Sequence, residues 1–174
     1  MTTATATATK STTKEPKAGR PIMPALYGLG KAKKGTLKWP DVGKQLADSR
    51  NYWICSTRAD GRPHAMPVWG FRCDGHVLFG TGRTTLKAKN IGRNPNVVVH
   101  LESGDDVVIL ECSIEELPLT DPQLRQRLDA LSHKKYNMLL TMMPESVMYR
   151  ARPKVVLAWR EKDFPTSATR WTLD

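Results

Sequence analysis

The sequence predicts a mainly β protein, an antiparallel and Greek-key-like β-barrel of six to seven short strands with helices inserted between them. Segments rich in β-branched and aromatic residues recur from residue 52 onward. Turn-forming pairs such as Asp60-Gly61 separate consecutive segments, which makes neighbouring strands antiparallel. Two stretches with helical spacing interrupt the series. The 174 residues fit one domain.

The first 50 residues precede the predicted barrel. Residues 1–20 are largely Thr, Ala and Lys, which bury too little apolar surface to offset the entropy of ordering, so we expect a disordered basic tail. Residues 21–50 predict an irregular arm and a helix from Pro40 to Ser49, which covers a barrel end through Val42 and Leu46. The barrel domain then occupies residues 51–174.

Two consecutive hairpins are predicted to open the barrel. Asp60-Gly61 is typical of a tight turn with positive φ at both residues, and a second turn follows at residues 73–75. The three strands are Tyr52–Arg58, His64–Phe71 and His76–Thr81. Pro67 removes a hydrogen-bond donor from the second strand, so we expect an edge or a bulge there, with main chain exposed to a ligand.

The later elements follow from caps and spacing. A short helix between Gly82 and Gly92 has a Thr cap and a terminating glycine. A second helix begins after Thr120-Asp121-Pro122, with Lys134 and Lys135 favoured by the dipole at its end. Its apolar stripe is Leu124, Leu128 and Leu131. The remaining strands are Asn96–Glu102, Val107–Glu115, Lys154–Lys162 and Thr169–Leu173.

Composition narrows the function classes. Residues 1–40 contribute +7 of the net charge of +10, and a basic tail on a nearly balanced domain does not by itself predict nucleic-acid binding. Cys55, Cys73 and Cys112 form no C-x-x-C pair, so we expect no metal site and a reducing, cytoplasmic location, with Cys55 and Cys112 in the core. No run approaches the roughly 18 apolar residues of a membrane helix, so we expect no membrane partner.

Catalytic motifs of hydrolases and zinc proteases do not occur, and the Gly28-Leu29-Gly30-Lys31 run lacks the remaining features of a phosphate loop. An enzyme with this sequence therefore depends on a cofactor. The best candidate site is the strand-to-helix junction from Gly80 to Lys87. Its glycines, the Thr84 and Thr85 hydroxyls and the Arg83 and Lys87 cations suit a phosphate at a helix N-terminus. A capped helix with solvated cations explains the same residues.

Three stretches resemble the pyridoxamine-phosphate-oxidase-like flavin and deazaflavin oxidoreductases. They are residues 52–70 (YWICSTRADGRPHAMPVWG), residues 79–91 (FGTGRTTLKAKNI) and residues 94–101 (NPNVVVHL). Tyr149, Pro153, Trp159 and Thr169-Arg170-Trp171 also resemble the family's later strands. The resemblance covers roughly residues 40–174.

The resemblance implies an FMN-binding split barrel that works as a homodimeric oxidoreductase with cofactor sites at the subunit interface. The cofactor is FMN or, as the alternative, the deazaflavin coenzyme F420, and the small-molecule substrate is unidentified. Ring contacts are implied for His64, Met66, Pro67, Val68 and Trp69. Phosphate contacts are implied for Thr85 and Lys87, with Thr81, Gly82 and Arg83 lining the approach.

Several alternatives stay open. His64 and Trp69 fit ordinary strand packing, Lys87 fits a solvated lysine, and Trp159 fits either a lid on the ring or a core aromatic. The methionines 138, 142, 143 and 148 fit gap filling or ligand contact. The Arg-x-His ending of true pyridoxamine-phosphate oxidases is replaced by Thr169-Arg170-Trp171, so we do not expect that activity. A non-catalytic flavin or tetrapyrrole carrier or sensor is the rival function.

Overall fold

The computed structural model describes residues 15–140 and 145–173. Within these ranges the chain forms eight strands and four α-helices. The strands are β1 (Lys17–Gly19), β2 (Asn51–Thr57), β3 (Pro63–Cys73), β4 (His76–Gly82), β5 (Asn96–His100), β6 (Asp106–Glu116), β7 (Ser146–Arg160) and β8 (Thr169–Thr172). The helices are α1 (Trp39–Asp48), α2 (Leu86–Arg93), α3 (Pro122–Tyr136) and α4 (Phe164–Ser167).

The strands form one antiparallel sheet in the order β1-β8-β7-β4-β3-β2-β5-β6. Strand β6 also pairs with β7, so the six strands β2 to β7 close into a barrel and β8 and β1 extend the sheet outside it. The predicted antiparallel barrel is therefore confirmed. No helix in the described part of the chain is long and apolar enough to cross a membrane.

The main core fills the barrel because alternate side chains of each strand point inward. In β2 the inward positions are Tyr52, Ile54 and Ser56, whereas Cys55 lies on the outer face and is half-buried. The expectation that Cys55 is a core residue was therefore wrong, since its neighbours hold the inward positions. Cys112 is buried as expected.

Helix α1 covers one end of the barrel, as the sequence predicted. Pro40 lies in its first turn, and Val42 and Leu46 are buried in the main core. The ring of Trp39 packs 5.5 Å from that of Trp171 in β8. A fully buried Trp171 thus links the helix to the outer sheet.

A second, smaller core lies beneath α3. Leu128 of α3 is fully buried against Phe71, Leu78 and Met148, with Leu124 and Leu131 packed at the edge of the cluster. The predicted leucine stripe is confirmed. Met148 fills this core, while residues 142 and 143 of the methionine-rich stretch lie outside the described residues.

The predicted Asp60-Gly61 turn has a different geometry. Gly61 has φ 83°, but Asp60 is not among the residues with positive φ. The Gly61 N–H donates to the Arg58 carbonyl (3.1 Å) and the Arg58 N–H donates to the Arg62 carbonyl (2.9 Å), so three residues form the loop. The turn with two positive φ values is instead Asp74-Gly75 (49° and 81°).

Several element limits differ from the predicted ones, and three differences concern β7, α2 and the N-terminal tail. Strand β7 begins at Ser146 rather than Lys154, because Pro153 lies beside a register shift opposite Cys112 and a bulge tolerates the missing donor. Helix α2 continues through Gly92 and ends at Arg93. Lys17–Gly19, expected in the disordered tail, pairs with β8, whose main chain offers partners that composition does not reveal. Residues 1–14 lie outside the described ranges.

Candidate cofactor site

Strands β3 and β4 separate at one end of the barrel. Their pairing ends at Gly70 and Phe79. Beyond that point β4 pairs only with β7, and residues 63–69 of β3 pair only with β2, among the described residues. Pro67 therefore lies on an open strand edge, as predicted, and its missing N–H leaves no donor unpaired there.

Helix α2 starts beside this gap and packs on the inner face of β2. Ala88 and Ile91 belong to the main core, and the Asn90 side-chain amide donates to the Ser56 hydroxyl at 3.0 Å. The N-terminus of α2 adjoins the end of β4, while its later turns reach β2. The helix thus closes the barrel mouth beneath the unpaired half of β3.

Two threonines build the junction between β4 and α2. The Thr85 side-chain oxygen caps α2 by accepting from the Ala88 N–H (3.3 Å) and lies 3.2 Å from the Thr81 hydroxyl. The Thr85 N–H donates to the Gly82 carbonyl at 3.2 Å, which closes the turn. The N–H groups of Leu86 and Lys87 have no acceptor among the described residues. Such free amides at a helix N-terminus are suited to an anion.

Lys87 is the second residue of α2 and is only 8% exposed. Its ammonium makes no hydrogen bond or ion pair within residues 15–140 and 145–173. Burial lowers the pKa of Lys87 because the charged form loses hydration. A buried and unpaired cation is costly, and a bound anion removes that cost. We name Thr81, Gly82, Thr85 and Lys87 the cradle.

Arg83 differs from Lys87 of the cradle because it already has an anionic partner. Its guanidinium binds the Glu116 carboxylate through two hydrogen bonds (2.5 and 3.2 Å). This contact lowers the pKa of Glu116. Arg83 and Gly80 open instead on a cavity of about 260 Å³ between β4, the end of β6 and α3. Glu116 already neutralises this cation, a pairing that local sequence could not reveal.

The five residues of β3 implied as ring contacts alternate between two faces. His64, Met66 and Val68 lie opposite Ser56, Ile54 and Tyr52 and share their inner face, whereas Pro67 and Trp69 lie on the outer face. Val68 is 8% exposed and belongs to the main core, so only its main chain is available to a ligand. A ring that meets all five must therefore lie along the strand edge.

His64 lies on the inner face next to Ser56, to which α2 is bonded. Its Nδ1 atom is buried without a hydrogen-bond partner in the described residues, and so is Nε of Arg58 at the end of β2. Buried polar atoms are seldom left unpaired. Of the three such side-chain atoms in the described residues, these two lie near the open end of β2 and β3, and the third, Gln45 Oε1, lies in α1.

Trp69 and Trp159 lie in different surroundings. Trp69 is 44% exposed and stacks on Tyr136 of α3, with ring centroids 4.9 Å apart, and the Arg50 guanidinium lies 5.5 Å from its ring. One face of Trp69 is thus covered. Trp159 packs edge-on against Phe164 of α4, far along β7 from Ser146 and the gap. Within a single chain, Trp159 therefore packs against α4 and does not border the gap.

Sequence reasoning missed a polar cluster at the end of α3. Lys135 donates to the Gly70 carbonyl (2.8 Å) and to the Tyr52 hydroxyl (3.1 Å), and the Tyr136 hydroxyl accepts from the Gly70 N–H at 2.8 Å. Burial lowers the pKa of Lys135 to about 8. The sequence assigned Lys135 only to the helix dipole, because partners more than 60 residues away leave no local signal.

A six-stranded antiparallel barrel in which two neighbouring strands, here β3 and β4, separate at one end beside a helix N-terminus defines the split β-barrel class. The family model described as pyridoxamine 5'-phosphate oxidase matches residues 40–160, and the chain belongs to this family. A comparison with curated proteins found no match.

Solved structures share the fold at low identity. The conserved hypothetical protein Rv2991 from Mycobacterium tuberculosis is 22% identical over 72% of this chain and 86% of its own, with a TM-score of 0.63. An F420 reductase is 21% identical over 65% of this chain and 94% of its own, with a TM-score of 0.52. HutZ, the heme storage protein from Vibrio cholerae, is 12% identical over 66% of this chain and 89% of its own, with a TM-score of 0.56. These identities establish similarity of fold alone.

Proposed function

We propose that this chain is an oxidoreductase that binds a phosphorylated flavin, FMN, or the deazaflavin coenzyme F420 in the gap between β3 and β4. The observation that carries the proposal is Lys87, a buried lysine without an anionic partner in the described residues, at a helix N-terminus with free amides. A phosphate pairs this cation and accepts from those amides. The residues present therefore fit the group.

The remaining residues position the rest of the cofactor. The cradle holds the phosphate at the end of β4, and the open edge of β3 from His64 to Trp69 extends from it as a rail for a planar ring. Met66 is 46% exposed on the inner face and offers apolar contact. His64 Nδ1 is the unpaired polar atom on that face. When bound, the flavin or deazaflavin ring supplies hydride transfer to or from a small unsaturated or redox-active substrate.

A homodimer with the cofactor at its interface is part of the proposal. Four large apolar side chains around the gap and α3 stay substantially exposed in the single chain: Met66, Trp69, Leu86 and Leu139. An exposed apolar set of this kind is typical of a protein interface. Sedimentation velocity of the purified protein tests it, and a monomer at micromolar concentration would contradict this part.

The absorption spectrum and the mass of the released ligand identify the cofactor of the purified protein. Titration of ligand-free protein with FMN and riboflavin then tests the cradle, because only FMN carries the phosphate. We expect Lys87→Ala to weaken FMN binding about tenfold or more while riboflavin binding is unchanged. Lys89→Ala, exposed on the same helix, is the matched control and keeps both affinities. An equal loss of affinity for both ligands would show that Lys87 does not bind the phosphate.

A carrier or sensor of flavin or tetrapyrrole is the second candidate. The observation that favours it is the fold shared with a heme storage protein, together with a site in which His64 is the one imidazole on β3. Parallel titration with FMN, F420 and haem separates the two. Tight haem binding that survives Lys87→Ala, with no reduction of any bound flavin by a reduced nicotinamide, would favour the carrier.

A further inference from the structure

The arm before α1 is an ordered loop closed by one side chain. The Arg20 guanidinium donates to the carbonyls of Ala32 (2.7 and 2.9 Å) and Lys34 (3.2 Å), which joins the two ends of the segment from Arg20 to Lys34. It also donates to the carbonyls of Thr166 (2.7 Å) and Ala168 (2.9 Å) near α4. We name residues 20–34 the arm loop. Compact loops with closed ends are frequently functional.

The arm loop carries apolar side chains outward. Ile22 is 95% exposed and Leu26 is 81% exposed, the two highest values among the large apolar residues of the described chain, and Tyr27 is 49% exposed. Leu26 and Tyr27 lie in a 3₁₀ turn that ends at Gly28, whose φ of 67° lets its N–H donate to the Ala25 carbonyl at 3.0 Å. The turn holds the Leu26 side chain in solvent, whereas the Tyr27 ring packs edge-on against Phe164 of α4, with ring centroids 6.1 Å apart.

The same loop is strongly basic. Lys31, Lys33 and Lys34 are exposed, and Lys38 follows them. None of the four has an ion-pair partner within the described ranges. Glu15 is the single acidic residue between positions 15 and 38. The arm loop thus combines exposed aliphatic side chains with positive charges that no described residue pairs. This combination binds the interface of an anionic bilayer.

The position of the arm loop separates it from the cradle. The loop is held at Thr166 and Ala168, beyond the Arg160 end of β7, whereas the cradle adjoins Ser146 at the other end. At about 3.3 Å per residue, these ends of β7 are roughly 45 Å apart along the strand. The lysines of the loop therefore serve a different anion from the cofactor of the same chain.

The charge and polarity of the arm loop decide which of three partners it fits: a second copy of the chain, a nucleic acid or a lipid bilayer. A second copy presents the same basic loop on a chain of net charge +10, so contact through this surface brings like charges together. Nucleic acid attracts the lysines but gives Ile22 and Leu26 no apolar surroundings. We propose that the arm loop docks on the surface of an anionic lipid bilayer, with Ile22 and Leu26 inserted among the acyl chains and the lysines at the headgroups. This surface contact needs no membrane-spanning helix, and it replaces the expectation from the sequence that the chain has no membrane partner.

Vesicle co-sedimentation of the full chain tests this proposal. We compare vesicles of phosphatidylcholine with vesicles in which a third of the lipid is phosphatidylglycerol. We expect binding only to the anionic vesicles, weakened by salt. Ile22→Ser with Leu26→Ser should reduce binding about tenfold. Ile22→Leu with Leu26→Ile, which keeps both side chains aliphatic, should bind like the wild type.

The lysines have a matched test of their own. Replacing Lys31, Lys33 and Lys34 by Gln should abolish the preference for anionic vesicles, while the same change at the exposed Lys89, Lys154 and Lys162 should retain it. Equal binding to both vesicle types, or none to the anionic type at low salt, would overturn the proposal. So would conversion of a dimer to a monomer by the Ile22 and Leu26 changes, or binding to a DNA duplex in place of vesicles.

Discussion

The side-chain oxygens of Thr81 and Thr85 lie 3.2 Å apart, and this contact joins the end of β4 to the N-cap of α2. Thr85 also donates its hydroxyl to the Gly82 carbonyl at 2.9 Å. One threonine thus both starts the helix and shapes the proposed phosphate site. Cofactor binding and helix stability are expected to share this residue.

Thr85→Ala should lower the free energy of unfolding by about 1 kcal/mol, because the Ala88 N–H loses its capping acceptor. Urea denaturation of the ligand-free protein measures the change. Thr85→Ser keeps the oxygen and should restore most of the stability. Thr84→Ala, one residue earlier and exposed, is the control, and an equal loss there would show that the cap is not the cause.

Lys87→Met should stabilise the ligand-free protein, because it removes a buried charge that no described residue pairs. We expect a melting temperature higher by roughly 2–4 °C. The stabilisation that added FMN gives to the wild type should be largely lost in the variant. A lower melting temperature without ligand would mean that the ammonium is paired in the folded chain.

Lys135 gives the protein a pH-dependent stability. Its folded pKa of about 8 lies below its ordinary value of 10.5, so the penalty for burying the charge is fully present below pH 8 and fades as the pH rises toward 10.5. The wild type should therefore gain stability relative to Lys135→Met between pH 8 and 10.5. Urea midpoints across this range measure the difference, and a flat difference would contradict it.

Gly70 has no room for a side chain. A Cβ atom there would lie 2.7 Å from the Leu78 carbonyl oxygen and 3.2 Å from the Tyr52 ring. Gly70→Ala should cost about 3 kcal/mol, because main chain of the neighbouring strand must move. Gly104→Ala meets nothing within 4 Å and should be close to neutral. A well-folded Gly70→Ala protein of wild-type stability would refute this account of the barrel end.

Local patterns predicted most elements but not all of their limits. The Thr85 cap, the leucine stripe of α3 and the position of Pro67 on an open edge depend on neighbouring residues or strand chemistry, and each is confirmed. Strand β1 and the start of β7 were missed, because their pairing partners lie far away in sequence. The positive φ expected at Asp60 was wrong, since a three-residue loop relieves that requirement.

The sequence by itself determined the antiparallel barrel, its hairpins and the junction between β4 and α2, because alternation, caps and turn residues act over a few positions. Only the tertiary structure decided which side chains share an environment. It buried Lys87 with no counter-ion among the residues that the structure describes, paired Arg83 with Glu116, and placed Lys135 and Tyr136 on Gly70. Burial and charge pairing depend on segments distant in sequence, and closure of the barrel brings those segments together.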